Sequence, residues 1–94
     1  MNSLELSEQR AAAVAKTDKR ITYTDICDVI VKESYYYDDT LTICVLTVRN
    51  GFKVIGESAC VDPANYNKAL GDDYARQDAM RKLWPLEAYL LSAK

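Results

Sequence analysis

The side chains in this chain that are best suited to chemistry are cations and aromatic rings in its second half. An arginine offers a planar fork of donors that fits a phosphate, and an aromatic face can stack on a base. The pattern therefore predicts a binding site for an anionic ligand that carries a ring. The candidate residues follow a predicted hairpin tip, the segment after it and a long helix: Arg49, Phe52, Lys53, Asn65, Tyr66, Arg76 and Arg81.

Each candidate also has an ordinary structural interpretation. Arg76 and Arg81 fit solvated or salt-bridged helix positions, and Phe52 and Tyr66 fit a core. The run Tyr35 to Tyr37 is more typical of packing or of an interface than of a stacking platform. Both interpretations stay open at the level of the sequence.

The composition argues against catalysis and against a bound metal. The chain has no histidine, so it lacks the Ser-His and Cys-His pairs that activate a nucleophile. It also lacks a glycine-rich phosphate loop. Cys27, Cys44 and Cys60 lie far apart, without the short spacing of a zinc site. We expect a protein that is not an enzyme and has no cofactor or metal, with reduced cysteines that pack as small hydrophobes.

The bulk properties favour one small domain over residues 1–94, with a peripheral helix within residues 1–20. The chain has 94 residues, a net charge of −2 and a pI near 5.0. This slightly negative charge argues against a general DNA- or RNA-binding protein, which usually carries a basic stripe on its surface. Free thiols fit the cytoplasm, and no apolar run approaches the roughly 20 residues of a membrane span.

Local signals predict two helices in the N-terminal half. Ser3 can cap a first helix over residues 3–16. Thr22 and Asp25 have the spacing of a capping box for a second helix, which we expect to end near Ser34. The segment from Tyr35 to Asp39 is then predicted to be a loop.

The middle of the chain predicts a single antiparallel β-hairpin over residues 41–61. The sequence Asn50-Gly51 favours a two-residue type I′ turn, which pairs Arg49 with Phe52 and Thr47 with Val54. Both faces of that hairpin are apolar. We therefore expect helices on one face and a second copy of the chain on the other face or on the exposed edge, in a symmetric homo-oligomer.

The C-terminal third is predicted to be helical, which completes an α+β fold. Asp62-Pro63 marks a helix start, Gly71 a break, and Pro85 a kink or restart after a buried Trp84. A small-to-large apolar stripe follows at Ala75, Ala79, Leu83, Leu86 and Leu90, and its two alanines permit close approach to the hairpin or to a sister helix.

This second half resembles the small tailed-phage proteins of the "gene product forty-nine / sixty-six" family. The resemblance covers more than half of the chain and implies a phage accessory protein that acts by binding, in the cytoplasm of the host cell. It rests on Asn50-Gly51-Phe52, Gly56-Glu57-Ser58-Ala59-Cys60, Pro63-Ala64-Asn65-Tyr66, Gly71, Ala75, Ala79 and Trp84-Pro85-Leu86-Glu87.

A looser resemblance links the layout to phage proteins that counter Thoeris-type immunity. Those proteins are symmetric oligomers that sequester cyclic ADP-ribose isomers, and some hold cyclic oligonucleotides, in pockets between protomers. This resemblance implies a non-catalytic sponge for cyclic nucleotide immune signals. The alternative is a protein-binding inhibitor of a host defence or nucleic-acid-processing enzyme. A sponge needs converging cations and an aromatic ring in a concave site, whereas an inhibitor needs an exposed convex patch.

Overall fold

The computed structural model describes residues 2–14 and 20–94 and shows an α+β fold. Two N-terminal helices, α1 (Ser3–Val14) and α2 (Tyr23–Val29), precede an antiparallel sheet of three strands in the order β1-β2-β3. The strands are β1 (Ile30–Asp38), β2 (Leu41–Val48) and β3 (Lys53–Ala59). A short 3₁₀ turn, Pro63–Asn65, leads to the long helix α3 (Lys68–Ser92), which packs across one face of the sheet.

Short-range hydrogen bonds set the starts of the helices. The predicted capping box of α2 is confirmed, because the Asp25 N–H donates to Thr22 Oγ1 at 3.1 Å and the Thr22 N–H donates to Asp25 Oδ2 at 2.9 Å. Asn2, not the predicted Ser3, caps α1 by accepting from the Glu5 N–H at 2.8 Å. Residues 15 and 16 of the predicted first helix lie outside the described residues.

The prediction of a single hairpin was wrong, because a third strand replaces the predicted end of the second helix. Helix α2 ends at Val29, and the segment predicted as helix and tyrosine loop forms β1. β-branched and aromatic residues favour a strand here, and β1 pairs with β2 along most of its length. The turn is confined to Asp39-Thr40, where Asp39 adopts a φ of 51°.

The predicted register of β2 and β3 was wrong by one residue. The loop has three residues, Arg49 to Gly51, since the Val48 N–H donates to the carbonyl of Phe52 at 3.0 Å. Gly51 alone among these takes a positive φ, of 89°, as in a type I turn followed by a bulge. Thr47 therefore pairs with Lys53, and Leu46 pairs with Val54. A one-residue shift reverses which side chains share a face.

Small residues let α3 lie directly on the sheet. A Cβ added to Gly56 would meet the carbonyl oxygen of Ala75 and the N–H of Ala79. The core between the helices and this face comprises Leu4, Ile26, Cys44, Leu46, Val48, Val54, Ala75, Ala79, Met80 and Leu83. The predicted stripe therefore holds for Ala75, Ala79 and Leu83, whereas Leu86 and Leu90 are exposed because they extend beyond the core.

Helix α3 runs without interruption through Gly71 and Pro85, where the sequence predicted a break and a kink or restart, respectively. The helix begins after Asn67, whose side chain accepts from the Leu70 N–H at 3.1 Å, and it passes through Gly71 without interruption. Gly71 instead lies against Thr42, where a Cβ would come within 2.8 Å of the hydroxyl oxygen. The helix also continues through Pro85 to Ser92 and does not restart there.

Candidate functional site

A cleft lies between α1 and the C-terminal half of α3. Its volume is about 470 Å³, which lies within the range of small-molecule sites. We call it the α1–α3 cleft. It is lined by Leu4, Ser7, Glu8, Ala11, Arg20, Ile21, Arg81, Trp84 and Ala88.

Helical periodicity places one wall of the cleft on each helix. Residues 4, 7, 8 and 11 have the spacing of one face of α1, and residues 81, 84 and 88 that of one face of α3. Leu4 is buried in the core and fixes the first turn of α1 in place. Arg20 and Ile21 close the third side, just before the cap of α2.

Two guanidinium groups and one indole ring line this cleft. Arg20 forms an ion pair with Glu8 at 3.6 Å, and its buried Nε has no hydrogen-bond partner among the described residues. Arg81 is held loosely, by Ser3 at 3.4 Å and by Asp78 at 4.0 Å. Trp84 packs against the core with part of its ring and faces the cleft. The described part of the lining therefore carries two cations and one carboxylate.

The structure separates the residues predicted from the sequence within the single chain. Arg49, Phe52 and Lys53 lie at the tip of the β2–β3 hairpin. There Arg49 donates to the Asp28 carbonyl at 2.7 Å, and Lys53 donates to Thr47 Oγ1 at 2.8 Å. Asn65 and Tyr66 line a smaller cavity of about 170 Å³ that also contains Thr40, Cys60 and Gly71. Of the seven residues, Arg81 alone lines the α1–α3 cleft.

Arg76 belongs to a polar cluster between α3 and β1. Its Nε donates to both carboxylate oxygens of Glu33 at 3.1 Å, and its Nη1 donates to Met80 Sδ at 3.2 Å and to the Tyr23 hydroxyl at 3.4 Å. Burial opposes the charge, but these hydrogen bonds outweigh it and raise the pKa of Arg76.

Two tyrosines of β1 extend the same cluster along α3. Tyr35 donates to Glu33 Oε1 at 2.8 Å, and burial together with that bond raises the pKa of Tyr35. Tyr37 donates to Asp72 Oδ1 at 2.7 Å and lies under the ammonium group of Lys68. Tyr37 therefore joins the sheet to α3, whereas Tyr35 packs against the core and bonds within its own strand.

The described residues offer binding groups more clearly than reactive ones. They contain no group of three or more histidine, cysteine or acidic side chains that could hold a metal ion. Burial raises the pKa of the Cys44 thiol, which disfavours its nucleophilic thiolate form. Within residues 2–14 and 20–94, no helix combines the length and apolar composition that crossing a membrane requires.

Arg20 and Trp84 were not predicted from the sequence to be ligand-binding residues. Arg20 precedes the capping box of α2, and the Trp84-Pro85 pair was predicted to be structural. The helical spacing of Arg81, Trp84 and Ala88 places them on one face of a helix. That spacing indicates a cleft only when α1 is known to lie opposite this face.

Comparison with known proteins gives a family for most of the chain. Residues 21–94 match the model of the phage protein (N4 Gp49/phage Sf6 gene 66) family. A search of curated proteins and a search of solved structures each returned no significant match. The matched segment contains the sheet, α2 and α3, together with Ile21, Arg81, Trp84 and Ala88 of the cleft. The chain therefore belongs to the phage protein (N4 Gp49/phage Sf6 gene 66) family.

Proposed function

We propose that this phage protein captures a small anionic cyclic nucleotide in the α1–α3 cleft and holds it without transforming it. The observation that carries the proposal is the convergence of Arg20, Arg81 and Trp84 on one cavity of suitable size. Guanidinium groups bind phosphate oxygens through paired hydrogen bonds, and an indole face stacks on a base. The captured class would be the cyclic nucleotide immune signals, namely cyclic ADP-ribose isomers or cyclic oligonucleotides.

The state of the two arginines supports this role. Among the described residues Arg81 makes only long contacts, and it is about half exposed, so a ligand can recruit it without breaking a strong bond there. Arg20 already faces a carboxylate, Glu8, at 3.6 Å. A phosphate can compete with that carboxylate because its oxygens offer a guanidinium group a similar acceptor geometry.

The hairpin tip and Arg76 fit ligand binding less well within one chain. Arg76 is engaged by Glu33, and Arg49 donates to a backbone carbonyl. The cavity that contains Asn65 and Tyr66 has no lysine or arginine among the described residues of its lining. Asn65 and Tyr66 would serve a nucleotide site only where a second chain supplies the cations.

Calorimetric titration with a panel of cyclic ADP-ribose isomers and cyclic di- and trinucleotides tests the proposal. We expect at least one ligand to bind, and Arg20→Ala and Arg81→Ala each to weaken its affinity about ten- to a hundredfold, since each removes a charged hydrogen bond. Arg49→Ala is the matched control and should bind like the wild type. The ligand recovered after denaturation should be chemically unchanged.

Three outcomes would reverse specific parts of this proposal. Absence of binding across the panel would refute the sponge function. Loss of affinity in Arg49→Ala with full affinity in the two cleft variants would move the site to the hairpin tip. Recovery of a hydrolysed or rearranged ligand would show catalysis.

An exposed apolar patch favours a second candidate, a protein-binding inhibitor of a host defence or nucleic-acid-processing enzyme. Phe52, Leu86, Tyr89 and Leu90 are between 43% and 74% exposed and lie together beside the hairpin tip. Clustered exposed aromatic and aliphatic side chains mark protein interfaces. In a phage-plating assay against a defended host, this candidate predicts that Phe52→Ser and Tyr89→Ser abolish protection while Arg20→Ala and Arg81→Ala retain it.

A further inference from the structure

The face of the sheet that points away from α3 is uncovered by the described helices. Each strand contributes alternate residues to it, because neighbouring side chains on a strand point to opposite faces. We call this surface the open face. Its most exposed large apolar side chains are those of Tyr36 and Ile55, at 59% and 52%. It contains Lys32, Ser34, Tyr36, Asp38, Leu41, Ile43, Val45, Thr47, Lys53, Ile55, Glu57 and Ala59.

The register arranges the open face as an apolar centre between two charged ends. Lys32, Thr47 and Lys53 form one end row, and the Thr47–Lys53 hydrogen bond at 2.8 Å confirms that these two side chains share the face. The middle rows contain Val45 beside Ile55 and Ile43 beside Tyr36. Glu57 lies in the same row as Ile43 and Tyr36, and Asp38 lies one row beyond it, at the opposite end of the same face. One end is therefore basic and the other acidic.

We propose that the open face packs against the open face of a second copy of this chain. The two-fold axis lies between the sheets and perpendicular to the strands, so that the basic end of each copy meets the acidic end of the other. Lys32 then faces Asp38 of the second copy, and Val45 packs over Ile43. Lys53 comes within side-chain reach of Glu57, about 7 Å along the strand from direct opposition.

Charge complementarity selects this orientation over the alternative face-to-face packing. An axis parallel to the strands would place β1 over β3 and bring Lys32 against Lys53, with like charges in contact. The perpendicular axis removes that repulsion and gives two equivalent Lys32–Asp38 contacts. Such an interface is isologous and closed, as a stable symmetric dimer requires.

Side chains of α3 bond to backbone groups at the outer edge of β3. The open face is therefore the surface of this strand that remains available to a second copy. Lys82 Nζ donates to the carbonyl of Ile55 at 2.7 Å, and the Glu57 N–H donates to Asp78 Oδ2 at 3.0 Å. These contacts satisfy edge groups that would otherwise pair with another strand. The inference goes beyond the proposed nucleotide capture and does not depend on it.

Sedimentation equilibrium of the full chain over a range of concentrations tests the proposal. We expect a dimer for the wild type and at least a tenfold weaker association for Ile55→Asp, which places a charge in the apolar centre. Val61→Asp is the matched control, because Val61 is fully exposed and lies outside the open face, and it should dimerise like the wild type. Circular dichroism and thermal melting verify that each variant is folded.

A charge exchange tests the orientation of the two copies. Lys32→Glu and Asp38→Lys should each weaken self-association, because each places like charges at both equivalent contacts. An equimolar mixture of the two variants should form a heterodimer, since both of its contacts pair opposite charges. A monomeric wild type at hundred-micromolar concentration would overturn the proposal, and so would stronger self-association of Lys32→Glu, the result expected for an axis parallel to the strands.

Discussion

Arg76 shows how the surroundings of a single residue decide between a structural and a ligand-binding role. It is the most strongly engaged cation of the predicted set, with Glu33 on β1, Tyr23 on α2 and Met80 on its own helix around it. Arg81, five positions later, makes only long contacts and faces the cleft. Sequence position alone does not separate these two arginines, because the partners of Arg76 come from distant elements.

We predict that Arg76→Ala lowers the free energy of unfolding by about 2 kcal/mol, because it removes charged hydrogen bonds that are partly shielded from solvent. Arg81→Ala should cost less than about 0.5 kcal/mol, as is usual for an exposed cation. Urea denaturation of both variants measures the difference. Equal losses in the two variants would contradict the structural role of Arg76.

Tyr35 gives a prediction about alkaline pH. Its pKa is raised by burial and by the hydrogen bond to Glu33. A raised folded-state pKa means that this contribution to stability is present below the unfolded value, near 10, and is lost as the pH rises above it. In a spectrophotometric titration we expect one phenolate absorbance step to coincide with alkaline unfolding and to disappear in Tyr35→Phe. A Tyr35 that ionises in the folded protein near pH 10 would contradict the raised pKa.

At the scale of elements, the starts of helical segments could be predicted from neighbouring residues, whereas the pairing of the strands could not. The capping box of α2 and the start of the 3₁₀ turn at Asp62 depend on residues within three positions of each other, and both were found from the sequence. Strand β1 was missed because its stability comes from pairing with β2. The register of the hairpin was missed because Asn50-Gly51 is compatible with a two- or a three-residue loop.

Gly56 provides the sharpest test of how α3 and the sheet fit together. A Cβ at this position would collide with the backbone of Ala75 and Ala79. We expect Gly56→Ala to destabilise the fold by about 3 kcal/mol, since a helix backbone cannot move away as a side chain can. Gly51→Asn is the control, because its site is open and asparagine tolerates a positive φ, so it should cost under about 1 kcal/mol. A tolerated Gly56→Ala in a thermal melt would contradict the close contact.

At the scale of the whole molecule, the sequence predicted an α+β protein of a phage family but not the place where its cations meet. The α1–α3 cleft joins the first turns of α1, Arg20 and the second half of α3, which are distant in the sequence. Only Arg81 was both predicted and found there. The proposed dimer uses the opposite side of the sheet from α3. Nucleotide capture and self-association can therefore be tested separately.

The emission of Trp84 is the most direct measurement of nucleotide capture in the cleft, because it is the chain's single tryptophan. Titration with the cyclic ADP-ribose isomers and cyclic oligonucleotides should change this emission saturably, since a stacked base alters the surroundings of the indole ring. The midpoint should agree with calorimetry, shift about ten- to a hundredfold in Arg81→Ala and stay unchanged in Arg49→Ala. Calorimetric binding without any change in Trp84 emission would contradict the cleft as the site, and no response by either method would contradict capture itself.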